Sequence, residues 1–163
     1  MSTRRRAALI EAVGIAVMRW QEATQAFDDA VAEALDLSRA ECRALAILYE
    51  GPRPAGAIAR PVGLTPAAVT TLLDRLEERG LVVRNRSEQD RRQVQVALTE
   101  KAIKATMRYY GPIAKEGGAI LSAMTMVELE AVKAFLDKAS ALQQRHLDKV
   151  RGGRGKMRRR KTD

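Results

Sequence analysis

The sequence predicts a mainly helical fold with one small β-hairpin, and three features support this prediction. First, apolar residues recur at helical spacing without an internal proline from about residue 6 to residue 35. Second, Thr65-Pro66 combines a hydroxyl N-cap with proline at the first helical position, a strong helix start. Third, two short runs with a period of two, 81–83 and 93–98, flank a charged segment, as in a hairpin.

The remaining elements follow from the same signals. Ser38-Arg39-Ala40-Glu41 is a capping box, and Pro61 is expected to end a short helix in a turn over 61–64. Helices are predicted at 6–35, 39–50, 54–60, 65–79, from Thr99 with interruptions at Gly111-Pro112 and Gly117-Gly118, and from Thr125 to about Val150. Helix, turn, helix and then a two-stranded hairpin is the order of the winged helix-turn-helix, with the charged segment at the tip of the wing.

A chain of 163 residues fits one domain, which we expect to span 1–150. Within it, about 36–98 would form the winged helix lobe. The flanking segments are 6–35 and 99–150; the first is apolar on two sides, and part of it is expected to meet another subunit. Residues 151–163 lack apolar periodicity and are expected to form a basic disordered tail.

The formal net charge is +9, and it lies at the two ends of the chain. Residues 151–163 carry +6 and Arg4–Arg6 carry +3, so that 7–150 has no net charge. A basic protein favours an anionic partner. Here, however, only local patches can identify the folded part as a nucleic-acid binder.

The helix at 65–79 has two distinct faces. Val69, Leu72, Leu73 and Leu76 recur at i, i+3, i+4 and i+7 and must face the core. The opposite side is small and hydroxylic near its start, which suits a helix entering a DNA major groove about 12 Å wide. Its candidate DNA-binding residues are Thr65, Pro66, Ala67, Thr70, Thr71 and Arg75. The alternative is an ordinary amphipathic helix with a polar outer face.

The hairpin tip gathers Arg86, Arg91 and Arg92. Arginine fits the narrow, electronegative minor groove of A·T-rich DNA. Asp90, next to two of these arginines, is expected to orient one guanidinium. A charged turn that is merely solvated is the alternative, but its position just after a candidate recognition helix favours DNA binding.

Residues Leu64 to Ala102 resemble the MarR family of bacterial transcription regulators. The resemblance is carried by Leu73-Asp74-Arg75-Leu76-Glu77, Gly80-Leu81-Val82-Val83-Arg84, Asp90-Arg91-Arg92 and Leu98-Thr99. It implies a homodimer, held by the first and the last two helices, that binds a palindromic double-stranded DNA operator. It also implies a small aromatic or phenolic effector that binds between the dimer helices and the DNA-binding lobe.

The resemblance also implies individual roles. The outer residues of the helix at 65–79 would meet the major groove or its phosphates, and Arg91 or Arg92 the minor groove. Arg86 would meet phosphate. Arg84, which also counts among the candidate DNA-binding residues, would tie the base of the wing to the helix through Asp74. The sequence departs from the family at Pro61, where the preceding helix usually continues.

Other classes of function find little support. No glycine-rich phosphate loop, nucleophile elbow or carboxylate pair at a loop tip occurs, so no enzyme and no cofactor are expected. The single His146 lacks companions at metal-ligand spacing, and no metal site is expected. Two alternatives to a regulator stay open: a protein-interaction adaptor that has kept the winged helix, and a nonspecific nucleic-acid binder driven by the basic ends.

Cellular location can be predicted from two features. The longest apolar run, Ala12 to Met18, is too short to span a bilayer, and no signal peptide is recognised. One cysteine, Cys42, fits a reducing compartment, and we read it as a structural thiol rather than an oxidant sensor. We therefore expect a cytoplasmic protein without a membrane partner.

Overall fold

The structure is a computed structural model that describes residues 3–86 and 94–159, with side chains described as far as Arg151. It is mainly helical with a small antiparallel sheet. Within the described residues the elements are α1 Thr3–Ala34, α2 Arg39–Tyr49, β1 Arg53–Pro54, α3 Ala55–Val62, α4 Pro66–Glu78, β2 Val82–Arg86, β3 Val94–Leu98, α5 Glu100–Ser122 and α6 Met126–Arg159.

The chain forms two compact units, Met1–Pro112 and Ile113–Asp163. The first unit contains the sheet, whose strand order is β1-β3-β2. Strands β2 and β3 form the predicted hairpin, in register from Val82↔Leu98 to Arg86↔Val94. The winged helix-turn-helix fold is thereby confirmed.

The core of the first unit lies between α2, α3, α4 and the sheet. Its largest fully buried side chains are Ile58, Val69, Leu73, Leu76, Val82 and Val96. The predicted inner face of α4 is confirmed, because its four apolar residues are all buried. This packing fixes which side of α4 faces outward.

The predicted helix starts are also confirmed. The Ser38 hydroxyl accepts from the Glu41 amide, and the Glu41 carboxylate accepts from the Ser38 amide at 2.7 Å. At the start of α6, in the second unit, the Glu128 carboxylate likewise accepts from the Thr125 amide at 2.8 Å. Each box satisfies amides that the first turn of a helix leaves without a partner.

The structure corrects two predictions at Pro61: that the third helix ends there, and that residues 61–64 form a turn. Helix α3 does not stop there but continues through Pro61 to Val62. The buried Ile58 and Ala59 hold this turn against the core, and Gly63, with φ 83°, donates to the carbonyls of Ala59 and Arg60. Pro61 cannot donate a backbone hydrogen bond within the helix. The free energy lost with that bond is therefore smaller than the free energy gained by packing this turn against the core.

Strand β1 was not predicted. Two residues next to a proline have no periodicity of their own, and Arg53 becomes a strand only by pairing with Val96 on β3.

The two long C-terminal helices also differ from the prediction. Helix α5 is continuous through both glycine-containing interruptions. Helix α6 continues to Arg159, which corrects the prediction of disorder from residue 151 as far as the backbone is described. Extending an existing helix costs less than starting a new one, and no proline follows Pro112 in the sequence.

Candidate DNA-binding surface

The candidate surface begins at the N-terminus of α4. The hydroxyl of Thr65 caps the helix by accepting from the amide of Ala68 at 3.3 Å, and Pro66 occupies the first turn. Both residues are exposed. The positive end of the helix dipole therefore points at the surface of the unit, where it favours an anion such as phosphate.

The outer face of α4 lies opposite its buried leucines. Every predicted residue of this face is exposed: Thr65, Pro66, Ala67, Thr70, Thr71 and Arg75. The N-terminal half of this face therefore carries only small side chains. The guanidinium of Arg75 extends from the same face about one turn further along the helix. Such a surface can approach another macromolecule closely.

Two hydroxyls on this face are already engaged with the helix itself. Thr70 Oγ1 donates to the carbonyl of Pro66 at 3.1 Å, and Thr71 Oγ1 donates to that of Ala67 at 3.3 Å. Because each hydroxyl has one hydrogen, its oxygen lone pairs remain as acceptors. The face thus offers hydrogen-bond acceptors more readily than donors.

Arg84 fixes the base of the wing to α4. Its Nη2 donates to Asp74 Oδ1 at 2.6 Å, its Nη1 donates to Glu77 Oε2, and its backbone amide donates to Glu77 Oε1 at 3.1 Å. Burial lowers the pKa of Arg84, but the hydrogen bonds to Asp74 and Glu77 outweigh it, and the pKa is raised above its ordinary value. The predicted tie through Asp74 is confirmed.

Glu77 was missed by the sequence analysis, although it lies one turn after Asp74 on the same helix. Carboxylates at i and i+3 share a helix face, and that spacing could have identified the second partner of Arg84. Because both carboxylates bond to Arg84, this residue holds the base of the wing against α4; its role as a DNA-binding residue stays a prediction.

The wing itself is described only in part. Arg86 is exposed at the end of β2, and its contact with phosphate stays a prediction. Asp90, Arg91 and Arg92 lie outside the described residues, so their predicted roles at the tip stay predictions.

The thiol of Cys42 is partly buried on α2. Burial, followed by the nearby charge of Glu41, raises its pKa. A raised pKa disfavours the thiolate, which is the reactive form. This environment supports a structural thiol.

A cavity of about 170 Å³ lies in the first unit beside the end of α1. Its lining includes four leucines and two cationic side chains: Leu35, Leu37, Leu45, Leu81, Arg79 and Lys101. An apolar wall with cations beside it suits a small organic molecule that carries a polar or acidic group.

Across the described residues, no helix is both long and apolar enough to cross a bilayer.

Comparisons with known proteins agree on one family. A family model described as "MarR family" matches residues 35–93. The uncharacterized HTH-type transcriptional regulator YcgE of Bacillus subtilis is 30% identical over 153 residues, which cover 93% of this chain and 99% of YcgE. The regulator YfiV of the same species, also uncharacterized, is 44% identical over 71 residues, 43% of this chain and 44% of YfiV.

One solved structure is similar to this chain in both fold and sequence. It is a mutant of MepR from S. aureus bound to an oligodeoxyribonucleotide, with a TM-score of 0.52 and 25% sequence identity. The match covers 81% of this chain and 97% of the MepR chain.

Proposed function

The chain belongs to the MarR family of DNA-binding helix-turn-helix transcriptional regulators, and we propose that it is a homodimeric repressor of a palindromic operator. We further propose that a small-molecule effector releases it from DNA. As a regulator of transcription it would act in the bacterial cytoplasm. Its relatives are regulators, and no feature of the sequence favours an enzyme.

The observation that carries the proposal is the exposed, small, hydroxylic leading half of α4. In the proposed complex this half enters the major groove, where the backbone of the helix can come close to base edges because Ala67, Thr70 and Thr71 are short. The threonine oxygens would accept from the amino groups of adenine or cytosine. Arg75, on the same face, would reach a base or a phosphate.

The wing would bind the neighbouring minor groove. Arg84 orients β2 against α4, so the hairpin leaves the lobe in a defined direction. Arg86 would contact phosphate, and Arg91 or Arg92 would enter the narrow groove with Asp90 orienting its neighbour.

Dimerisation is supported by apolar side chains that remain exposed on long helices. In the first unit, α1 exposes Leu9, Ile10, Val13, Ile15, Met18 and Trp20. In the second unit, α5 and α6 expose Ile113, Ile120, Leu121, Met126, Val127, Phe135, Leu136, Leu142 and Val150. Apolar side chains that stay exposed on helices in such number mark protein interfaces, and pairing of the two recognition helices would match a two-fold symmetric operator.

An effector would bind in the cavity beside the end of α1. Its leucine wall suits a small aromatic or phenolic compound, and Arg79 or Lys101 would pair with an acidic substituent. Binding there would shift the population between DNA-competent and released arrangements.

Selection of bound duplexes from a random pool tests the central proposal. A two-fold symmetric site should emerge, and the protein should prefer it over random duplex by about 10³ or more near 150 mM salt. A tail-driven nonspecific binder would show no preference and would lose affinity when 151–163 are removed. An adaptor would bind no duplex at all.

Two sets of variants assign the contacts. Arg91→Ala with Arg92→Ala should weaken operator binding and reduce its salt dependence, because two groove contacts are lost. Lys104→Ala with Lys115→Ala removes the same charge from α5 and is the matched control. Thr70→Ala and Thr71→Ala should change which sequence is selected; an equal loss on every duplex would argue against base readout.

Sedimentation equilibrium tests the dimer. Ile10→Glu or Val127→Glu places a charge on the apolar surface and should yield monomers, whereas Lys104→Glu should remain dimeric.

Transcription from an operator-bearing promoter tests repression, and activation would refute it. Ala105→Leu narrows the cavity and should abolish release by any small phenol or aromatic acid that lowers operator affinity; unchanged release would place the effector elsewhere.

A further inference from the structure

Three helices meet where the recognition helix ends. Arg79 is the C-terminal cap of α4, and its guanidinium reaches the last turn of α1. Nη1 donates to the carbonyl of Asp36 at 2.6 Å, and Nη2 donates to the carbonyl of Leu35 at 2.8 Å. A side chain on α4 thus completes the end of the first helix.

The backbone turn that follows α1 directs two carbonyl groups toward the Arg79 side chain. Asp36 adopts a left-handed backbone with φ 51°, and the amide of Leu37 returns to the carbonyl of Ala32 at 2.9 Å. The final carbonyls of a helix have no partner within it, and the fork of Arg79 satisfies two that this turn presents.

The contact is with carbonyl groups rather than with a charge. The carboxylate of Asp36 lies 4.0 Å from Arg79 Nη2 but is fully exposed, so this ion pair adds little. The two short bonds from one planar guanidinium specify both distance and angle.

The backbone at the same point is held by α5. Lys101 Nζ donates to the carbonyl of Arg79 at 2.7 Å, and Thr99 Oγ1 donates to that of Gly80 at 2.7 Å. We call Arg79, its two carbonyl partners and Lys101 the Arg79 junction. It links the end of α4 to both α1 and α5.

We propose that Arg79 is a positioning residue for operator recognition: it fixes the orientation of α4 relative to α1 and thereby sets the half-site separation that the dimer accepts. This inference rests on the proposed function, since it takes α1 to belong to the dimer interface. Neither α4's outer face nor the wing includes Arg79, so its effect is indirect.

Because α4 is long, a small rotation at the Arg79 junction produces a large displacement at the opposite end of the helix. Thirteen residues span about 20 Å, so a rotation of roughly 10° at the Arg79 end moves the reading end by about 3 Å. That shift is close to the rise of one base pair, about 3.4 Å. Because α4 is packed into the core through Leu73 and Leu76, the lobe would turn with it.

Three variants separate positioning from charge. Arg79→Gln removes the fork and the charge, whereas Arg79→Lys keeps the charge but cannot hold both carbonyls in one plane. Arg43→Gln removes an exposed arginine of the same lobe from α2 and is the control.

The first measurement needs no DNA. Spin labels at Gln21→Cys on α1 and Glu78→Cys on α4, in a Cys42→Ser background diluted with unlabelled protein, report the distance within one protomer. The distribution should be narrow in the parent, broad with Arg79→Gln and intermediate with Arg79→Lys, and Arg43→Gln should leave it unchanged. An unchanged distribution with Arg79→Gln overturns the proposal.

The second measurement uses the selected palindrome with one or two base pairs added to or removed from its centre. The parent should prefer one spacing by about fivefold or more, Arg79→Gln should flatten this preference without weakening binding to a single half-site, and Arg79→Lys should restore it only in part. Equal weakening at every spacing, fully rescued by lysine, would make Arg79 a phosphate contact and overturn the inference. If the parent itself prefers no palindrome, the proposed function fails, while the spin-label distances still decide whether Arg79 orients α4.

Discussion

Arg84 and Asp74 join the base of the wing to the outer side of the recognition helix, with Nη2 donating to Oδ1 at 2.6 Å. Glu77 completes the arrangement by accepting from both the guanidinium and the backbone amide of Arg84. The orientation of the hairpin therefore depends on two carboxylates of α4 as well as on the core beneath it.

The two carboxylates should contribute unequally to stability. Glu77→Ala removes a guanidinium bond and leaves the partly buried Arg84 amide without its partner, so the free energy of unfolding should fall by about 1–2 kcal/mol. Asp74→Ala removes one half-exposed ion pair and should cost less than about 1 kcal/mol. Urea denaturation at fixed protein concentration measures both values. A larger loss for Asp74 would contradict this ranking.

Leu73 is the buried centre of the α4 contact with the core, with an exposed fraction of 0%. Leu73→Ala should lower the free energy of unfolding by about 2–5 kcal/mol, because it leaves a cavity that the close-packed core cannot fill. Val94→Ala, at a position that is half-exposed on β3, should change it by less than about 0.5 kcal/mol. Similar losses in the two denaturation curves would show that α4 is not packed as the structure has it.

Asp36 adopts a conformation that glycine tolerates better. Its φ of 51° costs a residue with a Cβ roughly 1 kcal/mol, and the carbonyl that Arg79 uses belongs to the backbone. Asp36→Gly should therefore raise the free energy of unfolding by up to about 1 kcal/mol, and Asp36→Val should lower it. Thermal and urea unfolding would refute this account if glycine destabilised the protein.

We expect Tyr110 to ionise at a higher pH than an ordinary tyrosine. Its hydroxyl donates to Asp28 Oδ1 at 2.8 Å, and its ring packs against that of Phe27 in a T-shaped arrangement. Burial, and then the bond to Asp28, raises its pKa to about 12 from an ordinary value near 10. Absorbance at alkaline pH should show one tyrosine that ionises near pH 12, and Tyr110→Phe should remove that step. A late step that persists in the variant would assign it to another tyrosine.

The same shift has a consequence for stability. Because the folded pKa lies above the unfolded one, the folded state holds this proton more tightly between about pH 10 and 12. The stability that Tyr110 contributes is complete below pH 10 and is lost as pH rises through 12. Tyr110→Phe should therefore lose less stability than the parent over this interval.

Local features were predictable because they depend on near neighbours in the chain. The capping boxes of Ser38 and Thr125 and the buried side of α4 follow from spacing within a few residues. The pairing of β2 with β3 follows from two alternating runs that succeed each other directly along the chain. The tie from Arg84 to Asp74 was inferred from the family resemblance, since ten residues separate the two along the chain.

Continuity of helices was predicted less well. Pro61 and the glycines of α5 weaken a helix locally, and local signals alone predicted breaks. Packing of Ile58 and Ala59 outweighs the lost hydrogen bond in α3, and the cooperativity of helix extension carries α5 through its glycines.

The sequence by itself determined the order of the helices and the hairpin and the two faces of α4, because periodicity and caps are properties of short segments. Its motifs also determined the family. Only the tertiary structure decided that Arg53 pairs with β3 and that Arg79 completes the end of α1. These contacts join residues up to 44 positions apart. They form only when the core brings distant segments together, and no local pattern encodes that distance.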